Sequence, residues 1–409
     1  MVSRDKFIWA LTGMGGRAFL QGTYFLLLAW ALGPAELGRL AVFTAITSML
    51  APLSGVGCSE VLLKNVARDR ASLAHAYGHG CAIIPVSGVF IMVAAGAAGW
   101  FLLDLARDWQ TLLFLVVVDV LALRYLEVIL ALTQALEEFK ANAYAVLCVS
   151  LAKLAGIAAL IALPVPRTVA SWSVVQMLAL VPITLWLCGR TRREYLPGPV
   201  ARRIDPSLAR EGVLFALGVS ANGAYRDIDK LFLAKAANSA QLGLYATAYR
   251  LVEVAYIPLR ALLYVTLPRL FHPSGKAHGR REVLRFLGVS SSIALGAYLL
   301  YVAVLWAFPG LAGKRFQGIG AMGPILGLML FGRILLNYKA ALVLSGLGVK
   351  YTCLVQALAA LTTLALCWSL IPRGGWRAAA WISVGTDFLF AAGYMLLRAR
   401  KRPLALEES

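Results

Sequence analysis

Twelve apolar runs, most of 20 residues or more, recur along the chain with short polar breaks between them, near 7–32, 39–60, 80–103, 111–133, 142–164, 169–189, 213–236, 243–268, 286–309, 319–345, 350–371 and 377–397. A helix needs about 20 apolar residues to cross a hydrocarbon core about 30 Å thick, so each run is a candidate membrane span. The runs are continuous and too long for the alternating strands of about ten residues found in membrane β-barrels. Composition agrees, with 60% hydrophobic and 14% charged residues, against roughly 45–50% and 25% in soluble domains. The fold expected is an all-α polytopic membrane protein of about twelve helices. The first run carries Arg17 at its middle and is too long for a signal-peptide core, so it is expected to stay as the first helix.

Basic residues near span ends resist translocation, and their positions orient the chain. With the N-terminus inside, inner segments hold 22 Lys and Arg and outer loops, from Arg39 and Arg107 to Arg377, hold 8. Both termini are therefore expected on the inner side, the second of them in the basic tail Arg398–Arg402. This asymmetry and the attraction of anionic headgroups account for most of the net charge of +19. The longest basic segment, residues 189–212, lies between spans and is turned by Pro197, Pro199 and Pro206. It reads as an inner linker, and no nucleic-acid partner is expected.

That linker divides the chain into expected lobes of residues 1–205 and 206–409, each with six helices. ALGPAELGRLA at 31–41 aligns with AANSAQLGLYA at 236–246 at five of eleven positions, and both bridge the first two helices of their half. Six crossings return the chain to the same side, so the halves should be parallel repeats with a wet cavity near the midplane.

Asp229-Lys230 in an apolar helix, then LGLYATAYRL (242–251), Pro258 and Leu267-Pro268, matched in the first half by LGRLAVFTAI (37–46), resemble polysaccharide transporters, specifically the O-antigen (Wzx-type) flippases of the MOP superfamily. The resemblance implies a two-lobed transporter. It would move an undecaprenyl-diphosphate-linked oligosaccharide from the inner to the outer leaflet of the bacterial cytoplasmic membrane by alternating access, for assembly of O-antigen, capsule or exopolysaccharide. Partners implied are the lipid-linked substrate, membrane lipids, and a polysaccharide polymerase with its chain-length machinery. No cofactor or metal is implied.

A charge at the centre of a membrane helix costs about 2.5–3.5 kcal/mol on insertion scales, so it needs a partner or a task. Nine basic residues fall within spans, among them Arg17, Arg124, Lys153, Arg226, Lys230, Arg250, Arg333 and Lys339, against seven acidic ones, including Glu60, Asp119, Glu127, Asp227, Asp229, Glu253 and Asp387. Arg226 with Asp229, Asp227 with Lys230, Arg124 with Glu127 and Arg250 with Glu253 have the three-residue spacing of helical ion pairs. Arg17, Lys153, Arg333 and Lys339 have no acid on their own helices and must be neutralised by another helix, by water or by a bound anion. Given the substrate that the resemblance implies, Arg17, Arg226 and Arg333, helped by Lys230 and Arg250, are expected to form a diphosphate-binding patch, because a guanidinium grips two phosphate oxygens at once. Asp227, Asp229 and Glu253 either couple transport to an ion gradient or hold the basic side chains in place.

A drug exporter of the related MATE type is the competing transporter reading, and Arg17 has the wrong sign for attracting an organic cation. A membrane polymerase or ligase acting on lipid-linked sugars would need a substantial outer loop, and none exceeds about a dozen residues, so no enzyme is expected. The six Cys have no CxxC spacing and His75 and His79 sit in an inner loop, patterns that favour packing and solvation over metal binding. TGMGGR (12–17) lacks the lysine of a phosphate-binding loop.

Overall fold

The computed structural model describes residues 4–103, 108–257, 259–260, 280–307, 314–346 and 349–396. Arg107, Pro258, Leu267, Pro268 and the tail Arg398–Arg402 lie outside the described residues, as does the side chain of Lys339. Among the described residues every regular element is helical: α1 (Arg4–Leu50), α2 (Cys58–Arg68), α3 (Leu73–Leu103), α4 (Trp109–Val117), α5 (Leu123–Ala135), α6 (Phe139–Ala162), α7 (Val169–Tyr195), α8 (Pro206–Ala236), α9 (Ser239–Ala255), α10 (Arg280–Ala307), α11 (Ile319–Gly327), α12 (Met329–Gly346) and α13 (Val349–Leu396).

Two helices are too long to be single spans. As straight rods, α1 with 47 residues and α13 with 48 would each run about 70 Å, more than twice the hydrocarbon core. Each breaks at a glycine with positive φ, Gly33 at 75° before Pro34 and Gly375 at 54°, and these breaks fall between the expected runs 7–32 and 39–60, and 350–371 and 377–397.

Seven helical stretches among the described residues are long and apolar enough to cross a membrane, including the two just described. The expected spans 111–133 and 213–236 are helical throughout, 243–268 is helical to Ala255 with a turn at Tyr256, and the three carry most of the intramembrane charge. Large apolar side chains such as Phe90, Leu178, Leu300 and Trp368 point outward, the arrangement expected where the solvent is lipid. The chain is a multi-pass membrane protein.

Contacts group Met1–Asp227 and Ile228–Ser409 as two compact units. The expected lobe boundary, between residues 205 and 206 of the linker, coincides with the start of α8. The contact division falls further along that helix because its first turns pack onto unit 1. Lys64 Nζ meets Glu211 at 2.5 Å, Ser220 donates to the Met49 carbonyl, and Gly212 lies so close to the Val56 carbonyl that a Cβ there would sit 2.0 Å from its oxygen.

Within unit 1, α1 packs along α6, α6 along α7, and α2 against α3 and α5. After α1 the chain leaves the helical path. Gly55, Val56 and Gly57 all have positive φ, at 78°, 49° and 67°, a strained arrangement for a β-branched residue such as Val56. Neighbours hold it: Gly55 N–H donates to Ser87 Oγ at 2.7 Å, and Ser54 Oγ donates at 2.8 Å to the Val120 carbonyl. That carbonyl belongs to a π-helical turn, Val118–Ala122, between α4 and α5.

The linker is seated on the start of α3. Asp205 N–H donates to Nδ1 of the buried His79 at 3.0 Å, and His75 Nε2 lies 2.8 Å from Asp205 Oδ2. Asp205 also caps α8 by accepting from Ser207 N–H at 2.7 Å. In unit 2, α12 packs along α13, and α9 and α10 each pack against α11.

Candidate functional site

Unit 2 brings six charged side chains into one cluster, largely buried except at Arg250. Asp229 and Lys230 come from α8; Tyr245, Tyr249, Arg250 and Glu253 from α9; Arg333 from α12; and Ser383 and Asp387 from α13. The periodicity of α9 makes this possible, since 245, 249, 250 and 253 fall on adjoining strips of a helix and Tyr245 and Tyr249 are themselves buried. Asn238 starts the helix by accepting from Gln241 N–H at 2.8 Å.

Asp229 is 1% exposed. Its Oδ2 accepts from Tyr245 Oη and, at 3.0 Å, from Ser383 Oγ, and its Oδ1 accepts from Lys230 N–H at 2.8 Å. Lys230 Nζ lies 3.7 Å from the same carboxylate and 4.1 Å from the centre of the Tyr249 ring, a cation–π contact. Arg333, 5% exposed, donates from Nη2 to Tyr249 Oη at 2.7 Å and from Nε to Asp387 at 3.4 Å, and its Nη1 lies 3.8 Å from Glu253. Its guanidinium is also 5.1 Å from the Tyr249 ring, so one tyrosine holds two cations, one on its face and one on its hydroxyl as well.

Glu253 makes its shorter contact, 2.8 Å, with Arg250, whose side chain is 59% exposed. The cluster therefore grades from sealed carboxylates to an exposed guanidinium. Three acids and three bases cancel formally, yet the group that reaches furthest outward is positive.

In unit 1, Arg17 is exposed on α1, and Arg226 and Asp227 are half-buried on α8. Arg17 and Arg124 both act electrostatically on Glu127, and Lys153 acts on Asp119. A cavity of about 60 Å³ opens among Ser54, Ser59, Glu60, Arg124 and Glu127, room for a few waters. The spacing-based pairs Arg124–Glu127, at 2.6 Å, and Arg250–Glu253 are present. Arg333 is neutralised from α9 and α13, other helices than its own. Sequence reasoning missed Tyr245, Tyr249 and Ser383 as members of the site and left Asp387 without a role. The signal within reach was the tyrosine pair four residues apart, one helical turn before Arg250 and Glu253.

No curated protein sequence matches the chain. Among solved structures, an inward-facing multidrug resistance MATE family transporter of the MOP superfamily aligns over 95% of this chain and 96% of its own, with TM-score 0.72 and 14% identity. The outward-facing conformation of a transporter described in the same way aligns over 96% and 93%, with TM-score 0.68 and 16% identity. A MOP superfamily transporter from Pyrococcus furiosus, reported under the statement that reverse polarity of its binding pocket suggests a different function, aligns over 96% and 94%, with TM-score 0.66 and 15% identity. At these identities the likeness establishes the fold. A family model described as polysaccharide biosynthesis protein matches residues 3–272, and the chain belongs to that family, with the two-lobed fold of the MOP superfamily.

Proposed function

We propose that the protein is a flippase that carries an undecaprenyl-diphosphate-linked oligosaccharide from the inner to the outer leaflet of the bacterial cytoplasmic membrane, with both termini cytoplasmic, for assembly of surface polysaccharide. Membership of the polysaccharide biosynthesis family carries this reading. The electrostatics of unit 2 support it. Asp229 is occupied by Tyr245, Ser383 and its neighbour's amide, and Asp387 by Arg333, while Arg250 is exposed. Carboxylates engaged in this way are poor bait for an organic cation, and an exposed guanidinium suits a diphosphate.

In this reading Arg17 and Arg226 of unit 1 and Arg250 of unit 2 each offer a guanidinium to the diphosphate, and within unit 2 Lys230 and Arg333 add buried positive charge behind Arg250. Glu253 aims Arg250. Asp229 has a holding role, and ion coupling, where it occurs, runs through Asp227, Asp229 or Glu253. Substrate delivery to a polymerase and its chain-length machinery follows from the same reading.

The test is complementation and reconstitution. Arg17→Ala, Arg226→Ala and Arg250→Ala at normal membrane abundance should each abolish surface polysaccharide. In proteoliposomes the chain should flip a fluorescent polyprenyl-diphosphate sugar and leave organic cations untouched. Full export by all three variants would sink the patch. Cation efflux without lipid movement would instead establish the drug-exporter reading, which the description of the similarly folded transporters favours. Flipping that persists after proton and sodium gradients are collapsed would remove the coupling role of these acids.

A further inference from the structure

On α6 and α7 the exposed apolar residues form stripes. Leu151 and Tyr144, seven residues apart, are 52% and 44% exposed, and Leu178, Leu185 and Trp186 are 64%, 63% and 48% exposed. On a membrane protein such stripes face acyl chains. Both end toward the basic segment that begins at Arg190, where Tyr144 and Trp186 approach with ring centres 6.2 Å apart. Tyrosine and tryptophan concentrate at the level where acyl chains give way to headgroups.

Arg190 sits one turn beyond Trp186, and its guanidinium lies 4.6 Å from the centre of the Tyr144 ring and 5.8 Å from that of Trp186. It forms a loose, solvent-exposed ion pair with Glu194 one turn on, 3.6 Å from Nε, longer than a hydrogen bond, which leaves the two Nη groups for a stronger anion. Among the described residues no acceptor takes a hydrogen bond from this guanidinium, and the side chain is 47% exposed. Two rings thus restrict a charged fork whose N–H donors remain available. The ordinary role of a basic residue at this depth is to snorkel as a mobile point charge. A fork already oriented loses less entropy when it grips a phosphate.

We infer that Tyr144, Trp186 and Arg190 form a site for one anionic phospholipid, its phosphate on the Arg190 fork and its acyl chains along the stripe that ends at Leu151 and Leu178. The occupant is a membrane lipid and not free phosphate, because the apolar stripe continues from the fork and would have nothing to bind in a soluble anion. The inner leaflet is where such lipids meet basic segments. The site is independent of the cargo proposed above.

The experiment is native mass spectrometry of the full chain in neutral detergent, titrated separately with palmitoyl-oleoyl phosphatidylglycerol, palmitoyl-oleoyl phosphatidylcholine and inorganic phosphate. Phosphatidylglycerol should be retained preferentially. R190Q should weaken it about tenfold, the scale of one charge-assisted bidentate contact, and R193Q less than about twofold. R190K keeps the charge but loses the planar stack, and should weaken retention several-fold. The inference is overturned if R193Q matches R190Q, if R190K binds like the parent chain, if phosphatidylcholine is retained equally, or if millimolar phosphate displaces the lipid. Should R190Q fail to fold, Y144L and W186L on the lipid-facing surface carry the test, each expected to weaken retention and each overturning the inference if it does not.

Discussion

Arg124–Glu127 in unit 1 and Arg250–Glu253 in unit 2 are the same local device, an arginine three residues before a glutamate on one helix. Their surroundings reverse what they present. In unit 1 the arginine side chain is 17% exposed and the glutamate 39%; in unit 2 the arginine is 59% exposed and the glutamate 17%. One unit shows a carboxylate to a small polar cavity, and the other shows a guanidinium above a sealed layer of paired charges. Helical spacing creates the pair, but the side chains contributed by other helices decide which end faces outward.

The sharpest way to break the contrast is to open the sealed layer. Asp387→Ala leaves Arg333 buried with its closest carboxylate gone, and removing one partner of a buried ion pair costs about 3–5 kcal/mol. The loss should appear as a large fall in thermal unfolding temperature in detergent. Replacing Arg333 and Asp387 together by leucines should recover most of it, because two apolar side chains leave no uncompensated charge. Recovery no better than Asp387→Ala alone would show that the pair does more than neutralise itself.

Tyr249→Phe probes the same layer more gently. The ring that supports Lys230 stays, and the hydrogen bond from Arg333 is lost, worth about 1.5–3 kcal/mol for a charged donor. Tyr249→Leu removes the ring as well and should cost more. Equal losses from the two would show that the cation–π contacts contribute nothing.

Glu127→Gln is the matching test in unit 1. Glu127 is more than a third exposed and borders, with Arg124, a cavity that has room for a few waters, so the change should cost about 1 kcal/mol or less. A loss as large as that of Asp387→Ala would mean that the cavity is dry and that the two units are not different in kind.

The helical runs, the breaks between them and the ion pairs Arg124–Glu127 and Arg250–Glu253 were legible in the sequence because each depends on residues close in the chain. Gly33-Pro34 and the polar stretch around Gly375 mark their own turns, and Arg124–Glu127 needs only one helical turn. The partners of Arg333 could not be read in this way, since Glu253 and Asp387 lie 80 and 54 residues away on helices whose order of packing no periodicity reveals. Tyr245 and Tyr249 were hidden for a related reason. A tyrosine in an apolar run reads as interface or core until a buried carboxylate or guanidinium is found against its hydroxyl. The strained turn at Gly55–Gly57 left a trace in its glycines, but its role as the contact for Gly212 on α8 depends on tertiary packing.

The smallest expected effect concerns charge at the water-exposed edge of unit 1, where nothing is sealed. The Asp205 carboxyl is held well below the usual carboxylate range, first by the Ser207 hydroxyl and then by His75. A lowered folded value means that the unfolded chain binds the proton more readily. The bonds therefore contribute their full stability above the ordinary aspartate value of about 4 and lose it as pH falls through the folded value. Hydrogen exchange on the amides of residues 200–208, corrected for intrinsic rates, should show protection that holds steady from neutral pH to about pH 4 and declines only below it. Asp205→Asn removes the titrating group and the pairing with His75 together, so its protection should be lower throughout and flat across that acid range. If the parent chain loses protection well above pH 4, the controlling group is not Asp205. The bond from its amide to His79 Nδ1 then becomes the controlling contact, since protonation of that ring nitrogen removes the acceptor.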